Sequence, residues 1–163
     1  MNIERGSMEN KNIVTLFVRN DKGDMLLQKR SKQKGGKYGF ISGHVQESET
    51  NSQGIIRETK EEMGINIDEK DLKLFYRVEE GQTNFNLYYM NRNLNIENLT
   101  LQKEEVEDAK WCSVEEIKTI IDDDKLYKNH IDAFEIAMKY LCKEWYYGNY
   151  CSMGYKQCMQ LEL

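Results

Sequence analysis

Gly43-His44-Val45-Gln46-Glu47-Ser48-Glu49 leads, through residues 50–56, into Arg57-Glu58-Thr59-Lys60-Glu61-Glu62-Met63-Gly64-Ile65, and this stretch decides the fold. Thr50 and Gln53 form a T-x-x-Q capping box: the hydroxyl accepts from a backbone N–H that a helix leaves unpaired, and the glutamine reaches back to the cap. Gly64 stands where a left-handed C-terminal cap falls, a conformation that suits a residue without Cβ. These signals predict a helix over residues 51–63. At about 100° per residue, Glu58, Glu61 and Glu62 share one arc, while Ile55, Ile56, Thr59 and Met63 share the neighbouring one. The helix thus carries an acidic face beside a face suited to burial. Thr59 fits the apolar arc if its hydroxyl bonds the carbonyl of the preceding turn. Gly54 costs about 1 kcal/mol in a helix relative to alanine, and two accounts stand: close approach of a loop or ligand, or neutral drift.

Like charges one turn apart oppose helix formation by about 0.2–0.5 kcal/mol per pair, so the three glutamates are a local liability that something must offset. A hard divalent cation offsets it directly, because Mg2+ takes carboxylate oxygens, keeps waters and shares its other positions with phosphates. The alternative is a solvated Glu/Lys face with Arg57 paired to Glu61 one turn on. Gly43, Glu49, Arg57 and Gly64, all in register with the three glutamates, favour the cation.

The residues from Gly43 to Ile65 resemble the Nudix box, G-x5-E-x7-R-E-U-x-E-E-x-G-U with U aliphatic, the signature of the MutT-like Nudix hydrolase family. Seven identities are specified and all are present; at roughly 7% usage each, chance gives on the order of 10^-8 per start position. Thr59 departs from the pattern, standing where the family has an aliphatic residue. Upstream, Tyr38-Gly39-Phe40-Ile41-Ser42 occupies the place of the family's W-x-x-P-G, which leaves the conformation of that loop open.

Composition agrees with a compact cytoplasmic enzyme. A chain of 163 residues suits one domain with a sizeable core. The net charge of -5 and pI near 5.2 argue against nonspecific nucleic-acid binding. No apolar run reaches the length of a membrane span and no signal region opens the chain. The four cysteines (Cys112, Cys142, Cys151, Cys158) include no C-x-x-C pair and the only histidines are His44 and His130, so zinc is poorly supported and free thiols are expected.

Alternation and turn signals predict strands over 12–20 and 24–30, short extended pieces over 38–45, a hairpin of 72–79 with 83–91, and a short strand ending at Trp111. Ser113 and Glu116 form a second capping box for a helix through Ile121, and a final helix is predicted over 129–143. Residues 1–11 read as an N-terminal extension in which Gly6-Ser7-Met8 looks expression-derived, 12–143 as the domain, and 144–163 as an aromatic tail. For that tail, core packing, a homodimer contact and disorder are the open roles.

The resemblance implies an α/β Nudix fold, a mixed β-sheet core sandwiched between helices. It implies hydrolysis of a nucleoside diphosphate linked to another moiety, by water attack on phosphorus with Mg2+ or Mn2+. Carried over residue by residue, the metal ligands are Glu58, Glu61, Glu62 and the Gly43 carbonyl, with Arg57 and Glu49 holding the carboxylates. The general base is either a box glutamate or a later one among Glu104, Glu105 and Glu107, of which Glu105 is the preferred candidate. Tyr38, Phe40, Phe85, Tyr88 and Trp111 are candidates for stacking on a nucleobase. Two rivals remain. An isopentenyl-diphosphate-isomerase-like enzyme is similar at Gln28-Lys29-Arg30-Ser31 and around Ser42-Gly43-His44 but uses a cysteine where this chain has Ser42. A non-catalytic nucleotide-sensing module usually erodes the carboxylates that are complete here.

Overall fold

The structure, a computed structural model, describes residues 10–147, with side chains to residue 141. In chain order it contains β1 (Lys11–Arg19), β2 (Met25–Arg30), β3 (Tyr38–Gly39), β4 (Ile41–His44), α1 (Asn51–Met63), β5 (Lys73–Glu80), β6 (Thr83–Asn91), β7 (Val106–Cys112), α2 (Val114–Asp122) and α3 (Lys128–Tyr147). The seven strands form one mixed sheet. β1 runs parallel to β6 from Lys11↔Thr83 to Arg19↔Asn91, and on its other edge pairs antiparallel with β4, Ile13↔His44 to Leu16↔Ile41. β5 and β6 make the expected antiparallel hairpin, and β2 is flanked antiparallel by β3 and β7.

β1 is buried from Val14 through Arg19, as expected of a strand covered on both faces. Successive side chains alternate across it, so Phe17 enters one apolar layer while Leu16 and Val18 enter the other. The first layer packs α2 (Val114, Ile117, Ile120) and α3 (Phe134, Ala137, Met138, Leu141) on the sheet. The second packs α1 through Ile55 and Met63. Each such fully buried side chain stabilises the fold by about 1.5–3 kcal/mol. The sheet therefore lies between helices, an α/β sandwich.

α1 spans the residues expected, with Thr50 and Gln53 forming the reciprocal capping box and Gly64 at φ 68°. The Thr59 hydroxyl donates to the Ile55 carbonyl at 2.7 Å. Gly54 has a structural reason: the end of β4 lies against it, and a Cβ would stand 3.0 Å from the Val45 side chain. Carbonyls at the end of α1 are satisfied by the polar segment before β7, Thr100 N–H donating to Met63 and Gln102 N–H to Glu62. This docks Glu105 beside the helix. α3 runs past the expected end at Lys143 to Tyr147. Most of the aromatic tail and the N-terminal segment through residue 9 lie outside the described residues. Cys112 is a free, buried thiol whose pKa burial pushes up to about 11. Among the described residues, no helix is long and apolar enough to cross a membrane.

Candidate active site

β4 and α1 place Gly43 against Glu58 so closely that a Cβ at Gly43 would fall inside the Glu58 carboxyl group. That contact is the physical requirement for glycine at this position. Glu58 is largely withdrawn from solvent, and burial raises its pKa against the pull of Arg57. Glu61, one turn on, is the most exposed of the three carboxylates, with 52% of its side chain accessible.

Arg57 uses every donor of its guanidinium. Nε donates to Glu49 Oε1 at 2.6 Å, one terminal nitrogen to Glu58 at 3.0 Å and Glu61 at 3.2 Å, and the other to Glu49 Oε2 at 3.1 Å and the His44 carbonyl at 3.0 Å. The hydrogen bond from Arg57 holds the Glu49 carboxyl below the usual carboxylate range. The planar fork thus fixes helix, loop and three acidic side chains relative to one another. Pairing to Glu61, the bland alternative for Arg57, is present but is one contact of five.

Glu62 is buried and held from the sheet. Gln28 Nε2 donates to it at 3.0 Å and Arg30 at 3.1 Å, while Arg30 also bonds Glu105 at 2.8 Å. Lys34 completes the chain, 3.0 Å from the other Glu105 oxygen. Burial pushes the Glu62 pKa up to about 7, outweighing the opposing pull of Gln28 and Arg30. Glu104 and Glu107 have no comparable place: the first contributes its carbonyl to the Ser31 hydroxyl, the second pairs with Lys29 on the strand surface.

These groups line one cleft of about 490 Å³, which includes Gly43, Glu58, Glu61, Glu62 and Glu105 with Arg30 and Lys34. None of the proposed stacking aromatics lines it. Phe40, between β3 and β4, and Tyr88, on β6, are core side chains, 0% and 5% exposed, each packed in one of the two buried layers. Trp111 packs on the α1-side layer with its indole N–H bonded to the Leu94 carbonyl. Tyr38 lines a different, lysine-rich cavity and lies under Lys110 at 4.6 Å. Only Phe85 borders the site, in a smaller pocket that shares Ile13, Asn129 and His130 with the cleft. The residues to which sequence reasoning assigned no place in this site are Gln28, Arg30, Lys34 and His130. A polar Gln28 following the buried run Met25-Leu26-Leu27 was the available signal for the first two. Nothing local marks His130.

Among the described residues, no three His, Cys, Asp or Glu side chains converge as a ready-made cation cage. The carboxylates are turned onto Arg57, Gln28 and Arg30, whose N–H groups donate to them. The donor set still fits Mg2+ or Mn2+. It is all hard oxygen, and Mg2+ is commonly held by one or two carboxylates together with waters and substrate phosphates.

A family model for the NUDIX domain matches residues 9–134. A curated relative, an uncharacterized Nudix hydrolase of Listeria monocytogenes, is 36% identical over 114 residues, 66% of either chain; the matched segment thus spans just under two thirds of that relative. The NUDIX domain of Shewanella oneidensis NrtR, solved with ADP ribose, superposes with TM-score 0.61 at 17% identity, covering 77% of this chain and 84% of that one. A Francisella tularensis bifunctional NMN adenylyltransferase/ADP ribose pyrophosphatase, solved with AMP and a Mn ion, gives TM-score 0.60 at 22% identity, covering 79% of this chain and 41% of that one. The complete box, the sheet that presents it and the family match together make this chain a member of the Nudix family.

Proposed function

We propose that this protein is a metal-dependent pyrophosphohydrolase that cleaves a nucleoside diphosphate linked to another moiety by attack of water on phosphorus. The observation that carries the reading is the gathering of Glu58, Glu61, Glu62, Gly43 and Glu105 around one cleft that also holds Arg30 and Lys34. Mg2+ or Mn2+, held by Glu58, Glu61, Glu62 and the Gly43 carbonyl, supplies polarisation of a phosphate oxygen and a water of lowered pKa. Arg57 sets the positions of Glu58 and Glu49, and Gln28 and Arg30 set that of Glu62. Lys34 and Arg30 offer donors to phosphate oxygens. Glu105, oriented by both, takes the proton of the attacking water as general base. Nucleotide-type ligands and a manganese ion in the solved neighbours support the substrate class and the metal. A cytoplasmic location agrees with the unpaired Cys112.

The test is turnover of nucleoside triphosphates, dinucleoside polyphosphates, sugar nucleotides and capped RNA with Mg2+ in 18O-labelled water. One label in one of two phosphorylated products is expected, and it identifies the phosphorus attacked. Isomerisation of isopentenyl diphosphate without bond cleavage, or tight nucleotide binding without turnover, would replace the proposal.

A further inference from the structure

His130, near the start of α3, is 9% exposed and borders both the acidic cleft and the smaller pocket beyond it. Its ring lies against Gly39, where a Cβ would stand 2.6 Å from Nδ1, and is stacked at 19° to Phe40. The Phe40 backbone N–H donates to Nδ1 at 2.9 Å. A ring nitrogen that accepts carries no proton, so in the neutral imidazole the proton sits on Nε2. Burial holds the ring in that neutral form, lowering its pKa to about 4. Among the described residues Nε2–H has no hydrogen-bond partner, and Nδ1 is taken. The ring, which borders both compartments, therefore keeps one donor unspent.

The compartments differ in character. The acidic cleft carries Arg30 and Lys34 beside its carboxylates. The pocket beyond His130, about 90 Å³, has Val78, Phe85, Leu87 and Ile136 on its walls, Glu80 and Asp132 among its polar groups, and no lysine or arginine. Its size suits a group of about one ring. Its apolar walls suit a ring face, and its two carboxylates repel a negative charge.

We infer that His130 is the specificity residue of a two-compartment site: the phosphates lie in the acidic cleft, Nε2–H donates to an acceptor on the group attached to them, and that group ends in a compact, uncharged ring in the second pocket. The inference rests on the hydrolase reading for the placement of the phosphates. It narrows the substrate to phosphoanhydrides bearing such a ring and disfavours those whose far end is anionic. His130 acts by holding the substrate and has no part in the bond cleavage.

The experiment is calorimetric binding to the full chain with Mn2+ of three probes: methylenediphosphonate, α,β-methylene uridine diphosphate, and α,β-methylene orotidine diphosphate, whose ring bears a carboxylate. The uridine probe is expected to bind at least about tenfold more tightly than methylenediphosphonate and than the orotidine probe. His130→Phe should remove most of the first advantage and leave methylenediphosphonate within about twofold, the scale of losing one ligand hydrogen bond. Ile136→Phe, which fills the pocket without touching His130's bond to Phe40, should do the same in a protein whose fold is undisturbed. Equal affinity of the uridine probe and methylenediphosphonate for the unaltered protein overturns the inference and leaves the hydrolase reading standing. So does an unchanged advantage in Ile136→Phe, or equal weakening of both by His130→Phe. Failure of methylenediphosphonate to bind with Mn2+ overturns the hydrolase reading and this inference with it.

Discussion

Arg57→Lys keeps the positive charge and removes the geometry. The guanidinium spends five N–H donors on two oxygens of Glu49, one each of Glu58 and Glu61, and the His44 carbonyl. An ammonium has three donors at one point, so at least two of those bonds are lost. Charge-assisted hydrogen bonds contribute about 1.5–3 kcal/mol each. Glu61 is half exposed, so water replaces much of its share; Glu49 and Glu58, at 14% and 16% side-chain exposure, are not so compensated. A stability loss of about 2 kcal/mol follows, together with a loss of Mn2+ affinity or of turnover of about 10- to 100-fold, the usual scale for residues that orient metal ligands. Thermal denaturation and calorimetric Mn2+ titration of the two proteins measure both. Unchanged melting temperature together with unchanged metal affinity in the Arg57→Lys protein would refute the claim that the planar fork organises this site.

Gly43→Ala should displace the Glu58 carboxylate and not unfold the chain, because the clashing atoms end a flexible side chain; metal affinity falls about tenfold or more while the melting temperature stays within a few degrees, as paired titration and melting would register. Glu62, whose folded pKa is about 7 against an ordinary value of 4.5, retains a proton that the unfolded chain releases, so its contribution to stability falls by up to about 3 kcal/mol as pH rises from 4.5 to 7. Glu62→Gln should therefore melt no lower than the unaltered protein at pH 8 while losing activity, and a cooperative loss of fold would contradict this. For His130 the sign is opposite: its pKa of about 4 against 6.5 means that the unfolded chain takes up the proton first, costing up to about 3 kcal/mol as pH falls from 6.5 to 4. Denaturation across that range should show the unaltered protein losing more stability on acidification than His130→Gln.

The helix that carries the glutamates was legible to the residue, because both its ends are fixed by short-range chemistry: the Thr50–Gln53 box and Gly64. The partners of Arg57 were legible too, since its spacing to Glu49 and Glu61 is local. The partners of Glu62 were not. Gln28 and Arg30 reach it only after β2 takes its place in the sheet, across 34 and 32 positions of sequence. Aromatic residues misled for a related reason. With both faces of the sheet covered, alternation along a strand does not tell an inward side chain from one facing a cleft, and Phe40 and Tyr88 proved to be core. His130 is set by tertiary contact alone, its bond to Phe40 spanning 90 positions.

The parallel ladder between β1 and β6 bears on how the molecule acquires its cleft. Asn12 and Asn84 face each other across it, 72 positions apart, and closing a loop of that length costs about 4 kcal/mol of chain entropy before any contact repays it. α1 and its caps lie wholly inside that loop, so the helix can form early from local signals. β4, with Gly43, must dock on the same β1 that the ladder fixes in place. Refolding should therefore show two clocks: fast recovery of helical signal, then slow, concerted appearance of both the sheet and the capacity to bind Mn2+.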